Sequence, residues 1–331
     1  MTTVEKPTRR WRWGVNRWFI LLFIILGYFG ARWYAPVLPH IQLPAESLSH
    51  TPLFGNFYLT NTIVAMLIVD LVLVIIALIV RRAATSGDLV PKGFSGAIEA
   101  LLEVIYNLTE STAGKWAKAI FPFFATITLL VLVANWMELI PGVDSIGILE
   151  ENDHGAPVEQ IAPGVYTLVK PEAGAAEAEA GAHTGYTLTP FVRVLSTDLN
   201  FTVALALIAV FMVQVFGVRS LGISYFQKFI NVAGVFKRPI FGVIDFGVGI
   251  LELISEFSKI LSFSFRLFGN IFAGSVLLFV IGYLVPVFAQ TIFLGLEFFV
   301  GLIQAVVFGM LTMVFISQAV MGHGEHAEEH S

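Results

Sequence analysis

The stretch LELISEFSKILSFSFRLFGNIFAGSVLLFVIGYLV, residues 251–285, decides the fold. It is apolar enough to lie in lipid, yet it carries Arg266, which has apolar residues on both sides. An ionised side chain near the middle of a bilayer costs about 2.5–3.5 kcal/mol on insertion scales and about 10–17 kcal/mol in simulations. A membrane helix keeps such a residue where it faces protein or water, so we interpret Arg266 as functional.

Further polar residues of this stretch share one face with Arg266. At about 100° per residue, they fall within about 40° of Arg266: Glu252, Ser255, Lys259, Ser262 and Asn270. The opposite face consists of Phe, Leu, Val and Ile. This pattern predicts a membrane helix with one edge that faces water or protein. The alternative is an arginine that snorkels to a membrane surface, but its long apolar flanks argue against it.

The composition is that of a polytopic membrane protein. Of 331 residues, 56% are hydrophobic and only 13% are charged. The net charge of −5 and the few clusters of positive residues exclude nucleic acid as a partner. The absence of cysteine excludes disulfides, thiolate metal sites and thiol catalysis. No phosphate-binding loop, HExxH or GxSxG motif stands out, so we expect no cofactor and no metal.

The first part of the chain predicts two spans. An apolar run from Trp18 to about Tyr34 follows a basic N-terminus, which places that terminus in the cytoplasm. A signal peptide is the alternative for this run. The second span extends from about Leu59 to Val80, and Arg81 then marks the return to the cytoplasm. Asp70 lies in the middle of this span, so we expect it to face protein.

Residues 83–120 predict an amphipathic helix on the membrane surface, because their apolar residues recur at helical spacing. The next span, Phe121 to Ile140, ends at a Pro-Gly pair. Asn135 and Glu138 lie one turn apart on one face near its outer end. A long acidic, low-complexity loop follows outside the membrane.

The last two spans are predicted to be long. From Pro239 to Leu284 nothing breaks the helical pattern. A helix of that length is about 69 Å long at 1.5 Å per residue, whereas the hydrocarbon layer is about 30 Å thick, so it must tilt strongly or bend. The final helix, from about Thr291 to Met321, bears Glu297 and Gln304 two turns apart on one face.

The predicted fold is therefore all-α and polytopic, with about six membrane helices, the last two long and strongly tilted, plus one amphipathic surface helix. The chain divides into these regions: 1–58, an N-terminal extension with one membrane helix and an outside loop; 59–142, the second span, surface helix and third span; 143–197, the acidic low-complexity outside loop; 198–322, the core with the long helical hairpin; and 323–331, a polar tail. Both termini are expected in the cytoplasm.

The segment FSFRLFGNIFAG, residues 263–274, closely resembles the signature of subunit a of the bacterial F-type ATP synthase membrane sector. The resemblance extends to ELISEFSKILSFSFRLFGN, NWMELIPG and LIQAVVFGMLTMVFI, and covers most of residues 90–141 and 198–320. It implies a non-catalytic stator in the bacterial inner membrane that conducts protons through two half-channels to and from a rotating c-ring. The implied partners are the c-ring subunits, the peripheral-stalk b subunits, the rest of the complex and membrane lipid.

The resemblance also implies a role in proton translocation for particular residues: Asn135, Glu138, Glu252, Ser255, Arg266, Asn270, Ser275, Glu297 and Gln304. Arg266 matches the family's essential arginine, and Gln304 matches the glutamine that faces it. Ser275 and Glu297 occupy two linked positions at which the family varies. In the implied arrangement, Glu252 and Ser255 line the inner half-channel, and the residues near the outer surface line the outer one.

Two other classes of function were weighed. An independent ion-coupled secondary transporter predicts internal repeats and unwound helices around a midplane site, and the two halves of the chain show no convincing repeat. A purely structural membrane scaffold does not explain a costly arginine with polar neighbours in line.

Overall fold

The computed structural model describes residues 13–33, 44–49, 51–52, 55–85, 93–152, 155–169, 185–229, 239–284 and 288–321. The long helices are α1 (Trp13–Trp33), α2 (Asn61–Thr85), α3 (Phe94–Ala113), α4 (Ala117–Trp136), α5 (Leu199–Leu221), α6 (Pro239–Leu284) and α7 (Phe288–Met321). Short 3-10 helices cover Gly114–Trp116, Met137–Leu139, Leu195–Thr197 and Gly222–Lys228. The strands are β1 (Gly147–Asn152), β2 (Val158–Ala162), β3 (Val165–Leu168) and β4 (Gly185–Pro190).

The membrane helices confirm the predicted class, an all-α polytopic membrane protein. Within the described residues, 5 segments are long and apolar enough to cross a membrane: Asn61–Arg82, Phe94–Leu139, Leu199–Leu221, Phe246–Leu284 and Ala289–Val320. α1 contributes a shorter apolar stretch, Trp18–Phe29. The unbroken helix predicted from Pro239 to Leu284 is confirmed as α6, with 46 residues. Its strong tilt stays a prediction.

The amphipathic helix predicted within residues 83–120 is α3, which folds back along α4. Gly114, with φ of 49°, ends α3 in a conformation that glycine adopts at little cost. Tyr106 of α3 then meets Phe121 of α4 edge to face, with ring centroids 5.2 Å apart. Part of the apolar face of α3 is therefore covered by α4, whereas Phe94 and Val104 stay exposed, and the position of α3 on the membrane surface stays a prediction.

Four helices share the main core. α4 contributes Ile127 and Val131, and residues of α5, α6 and α7 pack around them: Leu205, Ala206, Ala209, Val210, Phe263, Leu267, Ile271, Ala305 and Phe308. Small residues let the helices approach closely. At Gly309 of α7, a Cβ would collide with the side chains of Thr128 and Phe124 of α4.

The chain divides into two compact units. The larger comprises Ile41–Leu149, Leu188–Val276 and Leu296–Ser331, and contains α2 to α5 and most of α6 and α7. The smaller comprises Met1–His40, Glu150–Thr187 and Leu277–Gly295. Within the smaller unit β2 and β3 form an antiparallel hairpin, in which Val158 pairs with Leu168.

The loop after α4, which is predicted to lie outside the membrane, contains strands that were not predicted from the sequence. β1 pairs with β4, and β2 pairs with β3, as separate two-stranded sheets. The signal for β2 and β3 was present, because β-branched and aromatic residues flank a Pro-Gly turn whose Gly164 has φ of 79°. The centre of the acidic stretch, residues 170–184, and the predicted polar tail, residues 323–331, lie outside the described residues.

Candidate functional site

Arg266 lies on the outward side of α6. Its side chain is exposed, as is that of Asn270, whereas Phe263, Leu267 and Ile271 of the neighbouring face are buried in the core. Among the residues that the structure describes, none forms a hydrogen bond or an ion pair with Arg266. The guanidinium is therefore presented at the surface of this chain, where water or another subunit can meet it.

Gln304 lies on α7 and is half-buried. The structure does not join it to Arg266 by a hydrogen bond within the described residues. α6 and α7 instead meet through aromatic rings, such as those of Phe263 and Phe308, whose centroids are 5.3 Å apart. The two residues that the resemblance pairs thus lie on adjacent packed helices, with no hydrogen bond between them among the described residues.

Asn135 joins three segments near the end of α4. Its amide Nδ2 donates a hydrogen bond to the backbone oxygen of Gly301 on α7, at 3.1 Å. Its Oδ1 accepts one from the hydroxyl of Ser196, at 2.6 Å. Asn135 is 3% exposed and Ser196 is fully buried. Because both partners are far away in sequence, this amide fixes the relative position of α4, α7 and the start of α5.

Glu138, Ser275 and Glu297 form a polar cluster between the 3-10 helix after α4, α6 and α7. The hydroxyl of Ser275 donates to Oε1 of Glu138 at 2.6 Å. Glu297 is 6% exposed, and its Oε2 has no hydrogen-bond partner among the described residues. Gly274 makes room for it, because a Cβ there would collide with the carboxylate of Glu297. The predicted outer residues are thus brought together.

Asp144 extends this cluster toward the loop after α4, and it was not predicted from the sequence. It interacts electrostatically with Glu138, as does Glu297. The pKa of Asp144 is raised to about 6, chiefly by burial and also by the charge of Glu46, although the charge of Arg193 and the backbone N–H of Val194 act to lower it. Its Oδ1 is buried without a hydrogen-bond partner in the described part of the chain. This carboxyl therefore titrates close to neutral pH.

A second buried network, which the sequence analysis also missed, lies toward the other end of α6. Oε1 of Glu256 accepts from Lys259 at 2.8 Å, and Oε2 accepts from the amide of Gln214 on α5 at 3.0 Å. The hydroxyl of Tyr225 donates to Oε1 of Gln214 at 2.8 Å. Lys259 was already placed on the polar face of α6 by helical spacing, and Gln214, a polar residue inside an apolar span, carried a further sequence signal for this network.

The predicted inner residues lie beside this network. Glu252 is half-buried and Ser255 is exposed. Burial, together with the charges of Glu256 and Glu252, raises the pKa of Tyr225 to about 12. Glu252 is therefore close to the buried network, while Ser255 belongs to the exposed stripe of Arg266.

Within the described residues, no three His, Cys, Asp or Glu side chains converge closely enough to hold a metal ion. The polar groups of the site are carboxyls, amides, hydroxyls, the ammonium of Lys259 and the guanidinium groups of Arg193 and Arg266. Such groups can bind water and transfer protons.

Comparison with known proteins gives one consistent family. The sequence model of the family "ATP synthase A chain" matches residues 63–317. ATP synthase subunit a of Campylobacter fetus is 30% identical over 260 residues, which cover 77% of this chain and 89% of the relative. ATP synthase subunit a of Mycobacterium bovis is 28% identical over 278 residues, which cover 81% of this chain and 89% of the relative.

Proposed function

Since the chain belongs to the ATP synthase A chain family, we propose that it is the stator proton-channel subunit of a rotary F-type ATP synthase. It conducts protons through two half-channels to and from the carboxylates of a c-ring, and so couples proton flow to ATP synthesis without catalysing it. The observation that carries this proposal is the exposed guanidinium of Arg266 on a membrane helix, with no partner among the described residues.

The role of Arg266 follows from the cost of charge in lipid. A ring carboxylate must be neutral while it faces lipid and ionises only beside the stator. The fixed positive charge of Arg266 favours ionisation there. Guanidinium suits this role because it stays protonated at working pH, whereas a buried lysine can lose its proton. The same charge repels a hydronium ion, so protons ride the ring instead of leaking across.

The outer half-channel would use the cluster around Glu138. Glu138 and Glu297 are carboxyls that can relay protons, and the hydroxyl of Ser275 on α6 donates to Glu138. The Oε2 atom of Glu297 supports this assignment, because it is buried without a partner among the described residues, and such an acceptor can bind water. Asn135 would hold together the helices that form the wall of this outer half-channel.

The inner half-channel would use the other end of α6. Glu252 and Ser255 are the residues that the family resemblance supplies. The network of Glu256, Gln214 and Tyr225 adds a buried carboxylate that is already linked to a chain of hydrogen-bonding groups. Asn270 and Gln304 would border the path close to Arg266.

The proposed setting is the inner membrane of a bacterium, with both termini in the cytoplasm. The partners would be the c-ring, the peripheral-stalk b subunits and the remainder of the synthase. The membrane potential supplies about 2.3 kcal/mol per charge for each 100 mV, which drives the protons through the two half-channels.

The first test of this proposal is purification from native membranes. We expect a c-ring to copurify with the chain, and an isolated chain with transport activity would contradict the proposal. The second test is Glu297→Gln, which we expect to slow proton flux through the complex without preventing assembly. Glu103→Gln on an exposed position of α3 is the matched control. Unchanged flux in Glu297→Gln would remove Glu297 from the channel.

A further inference from the structure

Asp70 on α2 is a polar residue that the proposed function does not use. It lies nine residues after Asn61 and eleven before Arg81, or about 14 Å and about 17 Å along the helix at 1.5 Å per residue. The hydrocarbon layer is about 30 Å thick. The carboxyl group of Asp70 is therefore close to the middle of the membrane.

Among the five described segments that are long and apolar enough to cross a membrane, α2 is the one that this chain covers least. Only 11% of its most apolar 18-residue stretch is buried within the chain, against 28% to 50% in the other described spans. It packs against α3, α4 and the 3-10 helix Leu195–Thr197, through buried residues such as Ala65 and Val69. The rest of its circumference faces outward.

Asp70 lies on the outward face of α2. Its side chain is exposed, and so are those of Leu67 and Val74 on the same face, at 63% and 55%. Nothing in the described part of the chain forms a hydrogen bond or an ion pair with Asp70. The prediction that Asp70 faces protein is therefore not met within the described residues of this chain.

Lipid cannot satisfy this group. Hydrocarbon offers no hydrogen-bond partner, so an exposed carboxyl is costly there whether it is ionised or protonated. A long lysine or arginine can snorkel to the headgroups, but the aspartate side chain is far too short to cover about 15 Å, which is half of the hydrocarbon layer. The partner of Asp70 must therefore be protein at the same depth.

We propose that the face of α2 formed by Leu67, Asp70 and Val74 docks a membrane helix of another subunit, which places a cationic or neutral hydrogen-bond donor opposite Asp70. Polar side chains between membrane helices act in this way to fix their association. The apolar flanks of Asp70 fit the apolar surface of such a helix. This surface lies on a different helix from Arg266, so the proposal does not depend on the role of α6.

Photo-crosslinking in the intact complex tests the contact directly. A photoreactive amino acid at Leu67 or Val74 is expected to give an adduct with one other subunit. Mass spectrometry should place the adduct within one turn of a Lys, Arg, His, Asn, Gln, Ser, Thr or Tyr. The same probe at Ile75 is the control, because Ile75 is exposed and lies about 140° around α2 from Asp70. Three results would overturn the proposal. They are adducts with lipid alone from Leu67 and Val74, an adduct with α1 of the same chain, and an adduct with a wholly apolar helix.

Substitution of Asp70 tests the chemistry. Asp70→Leu suits lipid but leaves the donor of the partner helix unpaired, so recovery of that subunit after detergent extraction should fall about tenfold or more. Ile75→Ala, at an exposed position of α2 outside the proposed face, is the matched control and should change recovery less than about threefold. Equal recovery in Asp70→Leu and Ile75→Ala would refute the docking role.

Discussion

Replacing Asn135 by alanine should destabilise this protein without removing any charge. The substitution deletes the hydrogen bond to the carbonyl of Gly301 at 3.1 Å and the one from Ser196 at 2.6 Å. Both contacts are long-range in sequence, and both are buried. The loss should therefore loosen α7 and the start of α5 from α4.

The expected loss in the free energy of unfolding follows from what each partner keeps. The carbonyl of Gly301 lies inside α7, where its helical donor remains. The hydroxyl of Ser196 loses its acceptor in a buried position. Hydrogen bonds between membrane helices contribute about 0.6 kcal/mol on average and about 1.7 kcal/mol at most. The loss of two such hydrogen bonds should lower the free energy of unfolding by about 1–3 kcal/mol in Asn135→Ala. Ser196→Ala loses one of them, so we expect about half of that loss.

A double-mutant cycle separates this contact from other effects. If the contact is real, Asn135→Ala and Ser196→Ala should not be additive, with a coupling of about 0.5 kcal/mol or more. The assay is unfolding of the purified chain by SDS in lipid–detergent micelles. Asn107→Ala, on an exposed position of α3, is the control and should stay within about 0.5 kcal/mol of the parent. Additive losses, or an Asn135→Ala variant as stable as the control, would refute the reasoning.

Two further predictions come from the same cluster. The pKa of Asp144 is raised to about 6 from an ordinary 3.8, so folding favours its protonated form. The contribution of Asp144 to the free energy of unfolding should therefore fall as the pH rises from about 4 to about 6. SDS unfolding at a series of pH values should show this loss, and Asp144→Asn should flatten it; an unchanged slope would be inconsistent with the burial of that carboxyl. Gly274→Ala should displace Glu297 and lower proton flux several-fold in reconstituted vesicles, whereas Gly247→Ala, where a Cβ meets nothing within 4 Å, should not. Equal flux in the two variants would count against a role for the position of Glu297.

The long helices were predictable from sequence because their signal is local and continuous. Nothing in residues 239–284 breaks the apolar, helical pattern, and α6 has the predicted bounds. α7 begins at Phe288, close to the predicted Thr291, and α2 covers Asn61–Thr85 where Leu59 to Val80 was predicted. The shared face of Arg266 and Asn270 also follows from helical spacing alone, and both side chains are exposed.

The contacts between segments were not predictable in this way. Asn135 and Ser196 are 61 positions apart, and Gln214 and Glu256 are 42 apart, so their contacts depend on how the helices pack. The strands after α4 were missed because short two-stranded pairs give a weak signal beside an acidic low-complexity stretch. Asp70 shows a different limit, because a single chain does not contain the partner that its chemistry requires.

The most direct test of the central claim is ATP-driven proton pumping in inverted membrane vesicles that contain the complex with Arg266→Ala. We expect pumping to be abolished in this variant, and Arg266→Lys to be badly impaired, because a buried lysine can lose its proton. Arg219→Ala, at an exposed position of α5, is the control and should pump normally. Normal pumping by the Arg266→Ala complex would contradict the role of a fixed positive charge opposite the ring.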